Sequence, residues 1–225
     1  VSHQIVRNIE RADPKAMQAL KEFGTATLHE AMGRSGLMKP YLRPIYDTAR
    51  VCGTAVTVSC HPGDNLMIHA AIEVCRPGDV LVVTVTSDST DGMFGELLAV
   101  SARAHGVQGL VIEAGVRDTA ELTEMQFPVW ARAVSAQGTV KSSPGSVNVP
   151  VVCAGVIVHP GDGIVGDRDG VVVVPKQQVS DVIRAADARR RREDQTRRRL
   201  AQGELGLDIY GLREKLNSLG VRYQD

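Results

Sequence analysis

The sequence predicts an α/β fold in which mixed β layers combine parallel βαβ units with a strand-only section, flanked by helices and closed by a helical C-terminal extension. Three observations carry this expectation. First, β-branched runs at 80–86 and 109–115 are separated by helical patterns, as in parallel strands joined by crossover helices. Second, from about residue 147 the runs VPVVCAG, VIVHPGD and GVVVVP follow one another through Gly/Pro turns with no room for helices, so this section is antiparallel or barrel-like. Third, residues 176–202 are helical in pattern and rich in arginine.

The elements follow in order. Residues 12–24 read as a helix, with Asp13 as its cap, Pro14 in its first turn and Gly24 at its end. A short second helix covers about 27–32 and is closed by Gly33; the stretch 37–50 is a Pro-punctuated loop. CGTAVTVSC alternates like a strand, and Asp64 caps a helix that runs through Val74 to the Arg76-Pro77-Gly78 stop. VLVVTVT (80–86) is a continuous apolar run, hence a buried strand. SDSTDGMF (87–94) reads as loop. GELLAVSARAHG repeats its apolar positions at Leu97, Leu98, Val100 and Ala104, a helix that Gly106 ends. GLVIEAG is a second buried strand, VRDTAELTEM a short helix and FPVWARAV a third strand, which makes two successive βαβ crossovers. After the arginine-rich helix, 203–210 is a short link to a last helix near 211–219. With no internal repeat and no flexible linker, residues 1–225 read as one domain, with 176–225 as its extension.

Composition excludes several classes. The 26 basic and 26 acidic side chains cancel, whereas non-specific nucleic-acid binders carry a basic excess to neutralise phosphates. No apolar run reaches the roughly 20 residues of a membrane helix, and the start VSHQIVRNIE lacks the apolar segment and cleavage site of a signal peptide. The cysteines at 52, 60, 75 and 153 are irregularly spaced. They read as reduced thiols of a cytoplasmic protein rather than a zinc or disulfide framework.

In a parallel sheet, ligands collect beyond the carboxyl ends of the strands. Two loops leave neighbouring strands there. The first, 87–94, carries Asp88, Asp91 and Gly92 and opens a helix at Gly95-Glu96-Leu97. Helix N-termini offer unpaired N–H groups and partial positive charge, suited to a carboxylate or phosphate, and Gly92 and Gly95 would let that backbone approach an anion. The second loop sets Arg117 beside Asp118, a fixed cation beside a carboxylate suited to a hard divalent metal. The same residues admit a plainer reading, with Asp118 and Thr119 capping a helix and Arg117 paired to a surface acid. No lysine is near this proposed site in the sequence. Gly161-Asp-Gly163-Ile-Val-Gly166 matches a dinucleotide string, but a strand follows it where a helix is required, so it reads as a turn. His29-Glu30 lacks a zincin's second histidine, and no Gly-x-Ser-x-Gly elbow occurs. In 188–199 the pairs Arg189–Glu193, Arg190–Asp194, Glu193–Arg197 and Asp194–Arg198 all fall at i,i+4, so the tract reads as a salt-bridged helix face or a subunit contact rather than a nucleic-acid patch.

The runs TATLHEAMGR, GTAVTV, PGDNLMIHAA, PGDVLVV, TDGMFGELLA, GLVIEAGVRD, GSVNVPVVCAG and LGLDIY resemble the metal-dependent pyruvate aldolases that cleave 4-hydroxy-4-methyl-2-oxoglutarate and 4-carboxy-4-hydroxy-2-oxoadipate. That family is related to the regulator of ribonuclease activity A. The likeness runs along nearly the whole chain; LGLDIY and the arginine-rich helix point to the aldolase branch. The resemblance implies a swivelling β/β/α-like fold assembled as a homotrimer or homohexamer, with the C-terminal extension at the subunit interface. It implies Mg²⁺ or Mn²⁺ on Asp118, Arg117 on the C2 carbonyl oxygen of an oxo-acid substrate, and the backbone of Met93, Phe94, Gly95, Glu96 and Leu97 around the pyruvyl carboxylate. Glu96 stands where relatives often carry Asp, and Glu193 matches an acid that reaches a neighbouring subunit's site. The implied activity is a lyase of aromatic-compound degradation that also decarboxylates oxaloacetate, since both reactions pass through pyruvate enolate. The alternative is a non-catalytic, protein-binding regulator of RNA degradation, which would not need Arg117, Asp118, Glu96 and Glu193 together.

Overall fold

The computed structural model describes residues 3–224. Helix α1 (Pro14–Leu20) begins as expected, with the Asp13 side chain accepting the Ala16 amide at 2.9 Å. It ends four residues earlier than the sequence suggests, because α2 (Thr25–Ala31) already starts at Thr25. The backbone amide and hydroxyl of Thr25 are both taken by Asp167, at 2.9 and 2.6 Å, and this pins the start of α2 to a distant strand. Strands β1 (Arg43–Pro44) and β2 (Val51–Cys60), helix α3 (Leu66–Val74) and β3 (Asp79–Val85) follow. Next come β4 (Gly92–Phe94), α4 (Glu96–Ala104), β5 (Gly109–Val116), α5 (Thr119–Glu124) and β6 (Val129–Val134). The strand-only section supplies β7 (Ser146–Val147), the hairpin β8 (Val151–Cys153) and β9 (Val156–Val158), and the hairpin β10 (Gly163–Asp167) and β11 (Gly170–Val174). Helices α6 (Val179–Ala201), α7 (Gly206–Ile209) and α8 (Leu212–Ser218) close the chain.

The main sheet has the order β1-β6-β5-β3-β2-β10-β11, with β4 added to β5 and β7 to β2. Strands β2, β3, β5 and β6 pair in parallel, one crossover more than the sequence pattern suggests, while β10 and β11 are antiparallel. The central strands are apolar on both faces because both are covered. Leu81, Val83, Leu110 and Ile112 pack with residues of α3 and α4. Val80, Val82, Val111 and Trp130 pack with Val151, Cys153 and Val158 of the β8–β9 hairpin. A third cluster joins α1, α2 and the first turns of α6 to β10 and β11.

Two corrections to the sequence reading bear on function. Residues 92–94 are a strand, not loop: they run parallel to β5, Gly92 opposite Gly115 and Phe94 opposite Val116. The approach is possible because a Cβ on Gly115 would lie 2.0 Å from the Thr90 carbonyl oxygen. In the arginine-rich helix, only Arg189–Glu193 of the four expected pairs forms, at 2.6 Å. Asp187 instead takes Arg190 and Arg191, and Asp194 takes Arg197 one residue closer, because each arginine chooses among acids at i±3 and i±4 of nearly equal energy.

Among the described residues no helix is long and apolar enough to cross a membrane, and all four cysteines are free. Burial pushes the Cys52 thiol up to about 11 and those of Cys60 and Cys75 to about 12, so they stay protonated and inert.

Candidate active site

The structure brings Arg117 and Asp118 together with the turn from β4 into α4. The Arg117 amide donates to the Phe94 carbonyl at 2.9 Å and so extends the β4–β5 pairing into the site. Asp118 occupies the N-cap position of α5 but adopts left-handed backbone angles (φ 52°, ψ 42°), and its side chain caps nothing in α5. It turns instead to the other helix: Oδ2 accepts the Glu96 amide of α4 at 3.0 Å, with Arg117 Nε 3.6 Å away. The plain capping reading therefore holds in part, for a different helix. Oδ1 accepts no hydrogen bond among the described residues.

The glycines have another purpose than the one expected. A Cβ on Gly95 would lie 2.3 Å from Asp118 Oδ2, and one on Gly92 2.4 Å from the Ser135 carbonyl. They admit the protein's own groups, and Gly95 admits the carboxylate itself. Of the turn's amides, Glu96 is committed to Asp118; Leu97 and Leu98 follow with first-turn donors that have no acceptor inside the helix. The side chains of Met93 and Phe94 are buried in the core, Phe94 stacked on Phe127 at 5.8 Å between centroids, so only their backbone can serve a ligand.

Arg117, Asp118, Gly95 and Leu97 line a cleft of about 120 Å³. Its other wall holds residues the sequence reading missed: Asn65 at the N-cap of α3, His69 within α3, and Lys141 from the loop between β6 and β7. The expectation of no lysine near the site is thus overturned, because a residue 23 positions beyond Asp118 in sequence folds back across the strand ends. Asn65, which opens α3, and His69, one turn further on, stand four apart inside the PGDNLMIHAA run, which was a signal that could have found them. Partial burial lowers the His69 pKa, and the charge on Lys141 lowers it further. Larger cavities exist; one of about 270 Å³, lined by Arg11, Lys21 and Thr54, lies at the amino ends of the strands. Asp79, the buried acid bonded to two of its lining residues, is itself out of reach: it is spent on Arg11 (two contacts of 2.8 Å), Thr54 and the Arg76 amide.

Glu193 does not join the cleft within one chain. It pairs with Arg189, which also reaches Glu30 at 3.5 Å, on a helix that packs on α1 and α2. As for a metal, no three His, Cys, Asp or Glu side chains converge among the described residues. A cation caged by such side chains alone therefore has no site among the described residues. Mg²⁺ needs less, one or two carboxylates with water and substrate oxygens, and the unengaged Oδ1 of Asp118 fits that requirement.

The profile of the RraA-like family, described as Aldolase/RraA, matches residues 25–173. A protein of Halalkalibacterium halodurans with the provisional name 4-hydroxy-4-methyl-2-oxoglutarate aldolase is 30% identical over 83% of this chain and 89% of its own. One of Burkholderia multivorans with the same provisional name is 36% identical over 64% of this chain and 87% of its own. Among solved structures, Streptomyces coelicolor RraAS2, described as an unusual member of the RNase ES inhibitor RraA family, superposes with a TM-score of 0.77 at 27% identity, covering 84% of this chain and 99% of its own.

Proposed function

The chain belongs to the RraA-like, Aldolase/RraA family, and on that premise we propose that it is a divalent-metal-dependent lyase. Its substrates would be 4-hydroxy-4-methyl-2-oxoglutarate and 4-carboxy-4-hydroxy-2-oxoadipate, cleaved to pyruvate plus a second pyruvate or oxaloacetate, as a step in aromatic-compound degradation. The observation that carries the proposal is the convergence of Arg117, Asp118 and the α4 N-terminus on one cleft at the carboxyl edge of the sheet.

Cleavage breaks the C3–C4 bond. The C4 hydroxyl loses its proton and becomes a carbonyl, and the electron pair moves to C3 as a pyruvate enolate whose charge rests on the C2 oxygen. Protonation at C3 then releases pyruvate. The Arg117 guanidinium would donate to the C2 oxygen, where charge develops. The free first-turn amides of α4 would hold the C1 carboxylate. Mg²⁺ or Mn²⁺, held by Asp118, would supply a second positive charge against the same oxygens. Lys141 adds an ammonium on the far wall, suited to the second carboxylate that both acids carry at C4. Glu96, and Glu193 from a neighbouring subunit, would relay the C4 hydroxyl proton through water. Oxaloacetate decarboxylation yields the same enolate and would use the same groups.

The shared site presupposes an oligomer, a homotrimer or homohexamer. Leu97 is 78% exposed at the cleft mouth and Val100 follows on the same helix, an apolar surface consistent with a second copy covering it. Lys141 invites a rival route through a Schiff base. That chemistry wants a lysine desolvated or set against another cation, and Lys141 is exposed.

The test is pyruvate release from 4-carboxy-4-hydroxy-2-oxoadipate with and without EDTA, and with borohydride added. We expect activity that EDTA abolishes and Mg²⁺ restores, and that borohydride leaves intact. No release from either acid under any metal would remove the lyase reading and favour a protein-binding regulator.

A further inference from the structure

The loop that brings Lys141 to the cleft has little to hold it. Val140 is 60% exposed, and Lys141 and Ser142 are exposed beside it. What fastens the loop is a carboxylate outside the catalytic set. Asp64, 1% exposed, accepts the Leu66 amide on Oδ1 at 2.9 Å and the amides of Ser142 and Ser143 on Oδ2 at 2.8 and 2.6 Å. The Ser142 hydroxyl lies 3.3 Å from the same oxygen. Two backbone bonds of 3.0 Å close the seam, Val140 to the Gly63 carbonyl and Asn65 to the Val140 carbonyl. The next side chain works on the opposite wall: Asn65 Nδ2 donates to the Met93 carbonyl at 3.0 Å, at the head of the turn that leads into α4.

We propose that Asp64 is a positioning residue, which holds residues 140–143 so that the Lys141 ammonium stands on the cleft opposite Arg117, while Asn65 sets the 93–97 turn from the same point. One dipeptide at the start of α3 thereby fixes the separation between the cation of one wall and the amides of the other. A carboxylate suits this place because all of its neighbours donate. An amide at Asp64 would turn an NH₂ group against either the Leu66 amide or the pair at Ser142 and Ser143, and so lose one of the two attachments. The carboxyl stays ionised throughout the neutral range: burial opposes its charge, but the three backbone amides overcome that and hold it at about 2.

The significance of Lys141 rests on the proposed function; the anchoring does not. Asp64→Asn should speed amide hydrogen exchange at 142 and 143 by roughly tenfold or more, as loss of a charge-assisted attachment implies, with circular dichroism unchanged. In the pyruvate-release assay it should raise KM for 4-carboxy-4-hydroxy-2-oxoadipate as Lys141→Met does, with kcat less affected, because a distal binding group is lost. The double variant should be no worse than Lys141→Met alone, since the two act through one group. Ser142→Pro removes one donor from the exposed side without touching the buried acid, and should copy the phenotype if Asp64→Asn folds poorly. Unchanged exchange at 142 and 143, or KM effects of Asp64→Asn and Lys141→Met that multiply, would overturn the proposal. Should the wild-type protein release no pyruvate, the proposed function falls and the exchange rates still decide the anchor.

Discussion

Gly95→Ala isolates the placement of one carboxylate. The backbone at Gly95 is extended (φ −150°, ψ −166°), so alanine can adopt it without strain. The new methyl group would sit 2.3 Å from Asp118 Oδ2 and 3.0 Å from Arg117 Cγ. To reach ordinary van der Waals distance the carboxylate must retreat by about 1 Å, and its 3.0 Å bond to the Glu96 amide cannot survive that. A displacement of that size in a catalytic group costs on the order of 10²-fold in rate. Stability should change little: loss of one partly exposed, charge-assisted hydrogen bond is worth about 1 kcal/mol, or a Tm lower by about 2–4 °C for a chain of this size. The assay is kcat for pyruvate release across a Mg²⁺ titration, with Tm measured in parallel. Gly24→Ala is the control, because its Cβ would meet Asp167 Oδ2 at an ordinary 3.5 Å. A Gly95→Ala enzyme within twofold of wild-type kcat at equal Mg²⁺ would refute the argument that Asp118 must stand where the glycine lets it.

Other expectations follow from the same geometry. Arg117→Lys loses the planar fork, so cleavage and oxaloacetate decarboxylation should fall together by about 10²–10³ in kcat; a loss confined to one reaction would show that they do not share an enolate. Asp118→Asn keeps volume but loses charge, and near-normal turnover at ordinary Mg²⁺ would rule Asp118 out as the metal ligand. If Glu193 serves a neighbouring subunit, mixed oligomers of Asp118→Asn and Glu193→Gln chains should recover activity above either parent, and no recovery would place each site within one chain. Asp64 has its folded pKa lowered from 3.8 to about 2, so its contribution to stability is complete above pH 4 and is lost as pH falls through 3.8 towards 2. Asp64→Asn should flatten the acid limb of the unfolding curve in that window, and an unchanged limb would contradict the assignment.

What could be read from sequence follows from how local the signal was. The parallel strands were legible because β-branched runs such as 80–86 and 109–115 need burial on both faces, and a run of that length carries its own evidence. Arg117 and Asp118 were legible because they directly follow such a strand. Strand β4 was not, since three residues have no periodicity, and their pairing depends on a residue distant in sequence, Gly115, yielding space. Lys141 was invisible for a similar reason: its place is fixed by Asp64, 77 residues upstream, and nothing near it in sequence says so. The ion pairs of α6 failed because the spacing names every candidate, while the choice among them turns on tenths of a kcal/mol.

The left-handed backbone of Asp118 has a consequence for how this protein can change. A non-glycine residue in that conformation costs about 1 kcal/mol or more, and glycine and asparagine bear it most easily. The fold by itself would therefore favour a different residue there from the one the proposed chemistry requires. Selection for thermal stability alone, with activity unscored, should drift towards Asn or Gly at 118 and produce hardier, inert proteins. Where activity is selected, the aspartate persists against that pull, and the stability it forgoes must come from elsewhere in the chain.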